Sequence, residues 1–381
     1  MKKRCGNSVH THSPATDTGL AVLRGMHAQT FGEGDVRIIP LKGDASDRRI
    51  FRLRGIAHSS IGILGPNRAE NRAFIGFARA FHRRGLAVPE IYAVHSGEMA
   101  YLEEDLGDIT LSMWTQNLRE ATTDGGQAAV PVDASGTDPV TDDGAPAGEQ
   151  IAAMYRRVLE ELVRFQVDAA DAVDYDLCYQ TREFSREAME FDVRYFRTMF
   201  LEPLVRVAWD RDAFERDCAV LIDELLTADR AYFLYRDFQS RNVMICDGVP
   251  HFIDFQSGRR GALHYDVASL LYDSRGKLGE DLRRRLLAHY LDEVELRMSV
   301  DRAVFAQLFE GFAVLRLLQA LGAFGNIGRN KGKPAYLDLI PSRLAALADL
   351  VQCAAVMQRL PSLRDMLTAI ASDPESLTLT Q

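Results

Sequence analysis

Two aspartates and one asparagine in the stretch 231–273 have the types and spacing for joint chemistry. Asn242 lies five residues after Asp237, and Asp254 lies twelve residues after Asn242. Asp237 and Asn242 bound a short polar loop between two apolar runs, 231–234 and 243–246. Asp247-Gly248 has the composition of a hairpin turn, because glycine takes the positive φ such turns need. Residues 251–255 then read as the returning strand, with Asp254 at its end. A hairpin brings these ends together, so two carboxylates and one amide oxygen converge. That donor set suits a hard cation such as Mg²⁺, which takes oxygen ligands and completes its shell with water and phosphate. In phosphoryl transfer, D-x-x-x-x-N followed by a strand-borne Asp supplies a base and two metal ligands. Taken singly, each of these residues is an ordinary turn former. The order of strand, loop, hairpin, apolar-Asp-Phe and helix gives the set its meaning.

The same stretch carries a resemblance. Arg236, Asp237, Arg241 and Asn242, followed by Ile253-Asp254-Phe255-Gln256, resemble the signature of the aminoglycoside phosphotransferase and choline kinase-like superfamily. Within it the pattern is closest to the bacterial group that holds the anomeric kinases of N-acetylmuramate and N-acetylglucosamine. Tyr235 stands where the motif usually has His, and Gln256 stands where protein kinases have Gly. The resemblance runs from about residue 41 to about residue 350. It implies an α+β, protein-kinase-like fold of two lobes, the first a small antiparallel sheet and the second mainly helical. It implies ATP and Mg²⁺ as cofactors, Asp237 with Arg241 as the catalytic pair, and Asn242 with Asp254 as metal ligands. It also assigns Asp266, at the start of the next helix, a structural role beneath the catalytic loop.

The elements before this stretch must then hold the nucleotide. Residues 36–40, 50–53 and 60–64 read as strands. The polar loop between the first two has the backbone donors of an anion nest around Gly43, Asp44 and Ser46, and it resembles the Gly-Asp-Ala-Ser loop of the sugar-kinase group. The third strand has no lysine to clamp phosphates, so Arg49 or Lys42 is the candidate substitute. Glu70 opens a helix over 69–83, where it either pairs with an arginine or meets the positive end of the helix dipole. Glu104 and Leu106 fall in the segment that links the lobes in this fold, and Leu106 is the candidate for backbone contact with adenine. After Asp254, Arg259 and Arg260 lie in what reads as a flexible basic loop, placed for an anionic acceptor or for the transferred phosphoryl group.

Composition agrees. A chain of 381 residues is too long for one small core. A net charge of −9 excludes the basic surface a nucleic-acid binder needs. Five cysteines without a C-x-x-C pair point to reduced thiols and a cytoplasmic setting. No signal-peptide h-region follows Lys2 and Lys3, and no apolar run reads as a membrane span. The expected organisation is a disordered tail at 1–18, a nucleotide-binding lobe at 19–105, and a catalytic and acceptor-binding lobe at 106–375. Residues 121–148 have no aromatic or basic residue and are expected to form a flexible insert. An aromatic stripe over 184–200 reads as helix core, with a sugar platform as the second reading. Gly322, Gly325 and Gly328 read as a loop or as close helix packing.

The function that follows is transfer of the γ-phosphoryl group of ATP to a hydroxyl of a small sugar or amino sugar. An aminoglycoside-modifying kinase and a nucleotide-binding regulator without catalysis are the alternatives. The arginine pair 259–260 speaks against a polycationic acceptor. The complete Asp237, Asn242, Asp254 set speaks against the regulator.

Overall fold

The computed structural model describes residues 14–41, 47–123 and 146–378. They fall into two compact units, one of residues up to 75 with 89–105, the other of 76–88 with 106 onward.

The first unit holds α1 (Pro14–Phe31), β1 (Arg37–Leu41), β2 (Arg49–Arg54), β3 (Ser59–Leu64), the start of α2 (Arg68–Arg83), β4 (Ile91–Val94) and β5 (Ala100–Glu104). The strands form one antiparallel sheet in the order β1-β2-β3-β5-β4. Leu23 and Met26 of α1 bury against Phe51, Leu53 and Leu102 of the sheet. Gly62 permits this approach: a Cβ there would stand 2.6 Å from Leu53 and 3.0 Å from Leu23. A polar side chain of α1 in this core, His27, is hydrogen-bonded to Ser60 at 2.9 Å. The helix begins at Pro14, a residue suited to a first helical turn, so residues 14–18 belong to α1 and not to a disordered tail. Residues 1–13 lie outside the described residues. Strand β4 starts at Ile91, and Pro89 just ahead of it has no N–H for a ladder.

The second unit holds the rest of α2, then α3 (Leu111–Thr123), α4 (Ala147–Val163), α5 (Arg186–Phe196), the single turn α6 (Glu202–Leu204) and α7 (Arg211–Leu225). Four short strands follow: β6 (Tyr232–Leu234), β7 (Val243–Cys246), β8 (Val249–Phe252) and β9 (Arg259–Gly261). Then come α8 (His264–Leu271), α9 (Glu280–Glu295), α10 (Arg302–Gly325), α11 (Ile340–Cys353) and α12 (Pro361–Ser372). β7 pairs with β8 as the expected hairpin, and β6 pairs with β9. Of the expected insert, residues 121–123 close α3 and 147–148 open α4; 124–145 lie outside the described residues.

Two expectations change here. The glycine-spaced segment is helix, not loop: α10 continues into a π-helical turn, Asn326–Asn330. A Cβ at Gly325 would come within 2.1 Å of the Met199 carbonyl oxygen, so the glycines serve close helix approach. By length and hydropathy the helix Arg302–Asn330 is also long and apolar enough to cross a membrane, contrary to the sequence reading. Its apolar stretch is 72% buried, with α5, α8 and α11 packed around it, so it is the core helix of this unit.

An aromatic cluster underlies the central stretch. Phe81, Phe165, Phe233, Phe252 and Phe255 pack edge-to-face around Tyr235 or one another, at centroid distances of 4.8 to 5.9 Å. Each such fully buried ring stabilises the fold by about 1.5–3 kcal/mol. The alternation Tyr235-Arg236-Asp237-Phe238 follows from it: Tyr235 and Phe238 enter the cluster, and Asp237 is left half-buried at its edge.

Candidate active site

The loop from Tyr235 to Asn242 is held by three carboxylates from three places in the chain. Asp266 of α8 accepts the backbone N–H groups of Tyr235 at 2.7 Å and Arg236 at 2.9 Å. Burial pushes this carboxyl up to about 7, opposed by those two N–H donors, by Gln166 and by the Arg236 charge. Asp192 of α5 takes the Arg236 guanidinium in a two-pronged pair at 2.6 and 2.8 Å. Arg236 also lies over the Phe184 and Tyr265 rings, at 5.0 and 4.9 Å. Burial acts to lower its pKa, and Asp192 more than reverses that, so the guanidinium is held firmly charged. Asp273 accepts the N–H of Ser240 at 2.9 Å and its hydroxyl at 2.5 Å. Arg343 stands 3.8 Å from Asp273, and this carboxyl stays below its ordinary pKa despite burial.

Within this frame the three central residues converge. The Asn242 amide donates to the Asp237 carbonyl at 2.8 Å and approaches the Asp254 carboxylate at 3.3 Å. Gln256 donates to the other Asp254 oxygen at 2.9 Å. The Tyr235 hydroxyl donates to the Ile253 carbonyl at 2.6 Å, tying the loop to the residue before Asp254. Arg236 and Asp254 both have positive φ, 80° and 70°. Side chains other than glycine pay roughly 1–3 kcal/mol for such conformations, which persist when the surroundings enforce them. Here the enforcing groups are Asp266 and Asp192 for Arg236, and Asn242 and Gln256 for Asp254. The Asp237 carboxylate accepts no hydrogen bond among the described residues. With its amide nitrogen turned to Asp237 and Asp254, Asn242 keeps its amide oxygen for another partner. A carboxylate beside that oxygen is the kind of donor set Mg²⁺ takes.

The other candidates fall as follows. Arg241 sits in the short 3₁₀ turn Ser240–Asn242 and reaches the Tyr336 hydroxyl at 3.4 Å. Arg259 and Arg260 are not in a flexible loop. They are residues of β9, and successive strand residues face opposite ways. Arg259 turns inward, bonds the Ser257 carbonyl at 3.0 Å and Thr181 at 2.8 Å, and also reaches Gln180. Burial lowers its pKa to about 10. Arg260 turns out over the Tyr175 ring at 4.1 Å. Leu106 is buried near the start of the second unit.

In the first unit, Glu70 pairs with Arg48 at 3.5 Å. Of the two expected roles of Glu70, the arginine pair is thus present, and the arginine is Arg48; the Arg49 side chain reaches Gly19 of α1. Glu104 accepts the Glu90 N–H at 3.2 Å and is tied back onto its own chain. Gly43, Asp44 and Ser46, with Lys42, lie outside the described residues.

Asp192, Asp273 and Arg48 were not among the expected site residues. Asp192 left a signal: it occupies an apolar position of α5, between Met189, Val193 and Phe196, where a carboxylate requires a cation. Asp273 and Arg48 left none that spacing reveals.

A small antiparallel N-terminal sheet, a mainly helical remainder and an Asp-x-x-x-x-Asn loop facing an Asp-Phe turn define a phosphotransferase of the protein-kinase-like fold. The chain belongs to the phosphotransferase enzyme family, whose model matches residues 38–302. It is an enzyme that transfers phosphate to a hydroxyl acceptor. A relative from Pseudomonas aeruginosa, an N-acetylmuramate/N-acetylglucosamine kinase, is 26% identical over 90% of this chain and 91% of its own. Among solved structures, a Plasmodium vivax ethanolamine kinase is similar with a TM-score of 0.58 at 12% identity, covering 93% of each chain. A choline/ethanolamine kinase family protein from Mesorhizobium loti is similar with a TM-score of 0.56 at 12% identity, covering 91% of this chain and 99% of its own. These two likenesses concern the fold alone.

Proposed function

We propose that the enzyme transfers the γ-phosphoryl group of ATP to a hydroxyl of an amino sugar. The observation that carries this reading is the convergence of Asp237, Asn242 and Asp254 on a loop fixed by three buried carboxylates. The name of the Pseudomonas aeruginosa relative supports the acceptor class. Asp237, whose carboxylate is uncommitted among the described residues, orients the attacking hydroxyl and accepts its proton as the new O–P bond forms and the bond to the departing ADP oxygen breaks. Asn242 and Asp254 would hold Mg²⁺, which when bound would offset charge on the nucleotide phosphates. Arg241 stands on the same loop as a charge-stabilising residue. Gly43, Asp44, Ser46, Arg49, Glu70, Glu104 and Leu106 are assigned to the nucleotide, with Arg48 fixing Glu70. Arg259 supports the acceptor side from β9. Little covalent chemistry falls to the protein, and positioning carries the rate.

The test is a mass-spectrometric search for phosphorylated products after incubation with Mg-ATP and a pool of sugars, amino sugars, amino alcohols and aminoglycosides. An amino-sugar phosphate is expected. Asp237→Asn should form it about 10²–10⁴-fold more slowly. Product only from choline, ethanolamine or an aminoglycoside overturns the acceptor class. Undiminished turnover in Asp237→Asn overturns the base.

A further inference from the structure

One large aromatic side chain of the second unit is left open. Phe191 of α5 is 54% exposed and stacks nearly parallel, at 12° and 5.9 Å, on Tyr195 one turn later. Their helix also carries Asp192, whose carboxylate grips the arginine next to Asp237. The two rings therefore belong to the element that positions the catalytic loop.

Helix α10 completes the surface. The absent side chains of Gly322 and Gly325 let α10 touch the backbone of Tyr195–Phe196 and Met199. Both helices pass into π-helical turns there, Arg197–Leu201 and Asn326–Asn330, a distortion frequent at functional sites. The close approach puts the Asn326 amide on the Tyr195 hydroxyl at 2.9 Å. Asn330 donates to Asn326 at 2.9 Å and meets Met199 sulfur at 3.4 Å. The segment that follows returns to the catalytic loop, since Tyr336 meets Arg241. Two rings thus lie beside a chain of neutral amides; the helix of the rings reaches Arg236 through Asp192, and the segment after α10 reaches Arg241 through Tyr336.

We propose that the Phe191–Tyr195 pair, with Asn326 and Asn330, is the acceptor platform, and that it takes the C–H face of an uncharged pyranose ring. This rests on the phosphotransfer reading and names how that site holds its sugar. A sugar offers one apolar face of axial C–H bonds and a rim of hydroxyl or acetamido groups. The rings match the face. The Tyr195 hydroxyl hydrogen and the Asn330 carbonyl oxygen match the rim, one donor and one acceptor. Exposed aromatic rings also attract organic cations, but here that role is filled. The Arg194 guanidinium already lies 5.7 Å from the Phe191 centroid, and a cationic acceptor would meet its charge.

Binding separates this inference from the catalytic one. Saturation-transfer NMR would follow N-acetylglucosamine, glucose and choline on the wild type, Phe191→Ala, Tyr195→Phe and Asp237→Asn. Saturation should concentrate on the axial protons of one sugar face. Phe191→Ala should bind sugar about tenfold more weakly, the scale of one aromatic contact, with ATP affinity unchanged. Tyr195→Phe should keep the facial pattern and lose affinity for the rim. Asp237→Asn should keep the facial saturation pattern while turning the sugar over about 10²–10⁴-fold more slowly. Sugar bound equally by Phe191→Ala, no sugar bound by the wild type, or choline bound in its place overturns the platform. The kinase reading stands or falls separately, on turnover.

Discussion

Replacing Asp192 with alanine should be among the most costly single changes in the second unit. Asp192 is 1% exposed and gives both oxygens to Arg236, whose side chain is 13% exposed. Truncation strands a charged guanidinium in the interior, and breaking a buried pair from one side costs about 3–5 kcal/mol. Against a total stability of about 5–15 kcal/mol, that is a large fraction, visible as a lowered urea midpoint. Removing both partners is different. Asp192→Leu with Arg236→Met replaces the pair by apolar groups of similar volume, and such exchanges are about neutral or stabilising. If the pair served only stability, the double variant would recover both folding and rate.

The geometry gives another answer for the rate. Arg236 has φ of 80°, and its fork fixes the residue that precedes Asp237. Freed of Asp192, the loop relaxes, and a displacement of about 1 Å at a reacting group costs on the order of 10²-fold. The double variant should therefore unfold like the wild type while its kcat stays about 10²-fold down, with KM for ATP little changed. Urea unfolding beside steady-state ADP release would measure both. A double variant with full stability and wild-type kcat would refute the positioning argument.

Other outcomes follow from single sites. Arg48→Ala should raise KM for ATP roughly threefold to tenfold, and exchanging the charges of Arg48 and Glu70 should restore much of the loss in steady-state assays. His264 is stacked on Phe305 at 3.9 Å, with neither ring nitrogen hydrogen-bonded among the described residues, and burial lowers its pKa to about 3. Below its ordinary value of 6.5 the unfolded chain takes a proton that the folded chain refuses, so stability is full above pH 6.5 and falls toward pH 3. His264→Phe should remove that contribution, up to about 1.4 kcal/mol per pH unit, in urea titrations across the range. Gly325→Ala should destabilise by about 1–3 kcal/mol through overpacking against Met199. Gly25→Ala, in the open on α1, should instead gain about 0.5–1 kcal/mol from helix propensity, and thermal melts of the two would tell.

The hairpin and its acidic ends were legible because they are local. A strand, a DG turn and a returning strand are written within a few residues, and turn chemistry fixes their order. The helix expected over 69–83 is α2, Arg68–Arg83, within one residue of its bounds. Arg259 and Arg260 were misread because β9 pairs with β6, a partner some 25 residues away, and no local pattern reports that ladder. The same distance hid Asp192, which meets Arg236 across 44 residues. The aromatic stripe of α5 was read as core, and Phe196 and Phe200 are buried as expected. Phe191 escapes because the stripe is wider than the face α10 covers. Of the two readings of the α10 glycines, close helix packing holds: a residue that weakens isolated helices stands here where the Tyr195–Phe196 and Met199 backbone comes close.

The loop from Tyr235 to Asn242 takes its shape from charges that are themselves buried. Asp192, Asp266 and Asp273 are each almost fully enclosed, and each spends its oxygens on the loop or on the arginine that braces it. Three buried carboxylates are costly to keep, and an apolar loop anchor would serve stability as well. What they supply is direction. A hydrogen bond or an arginine fork fixes a backbone to a few tenths of an ångström, where apolar packing would accept several arrangements. Asp237 itself receives no such bond from the described residues. The anchoring carboxylates hold its neighbours Tyr235, Arg236 and Ser240, so the loop can be rigid while the Asp237 carboxylate stays uncommitted among the described residues. A site that works by placing a hydroxyl in line with a phosphate has use for that division of labour.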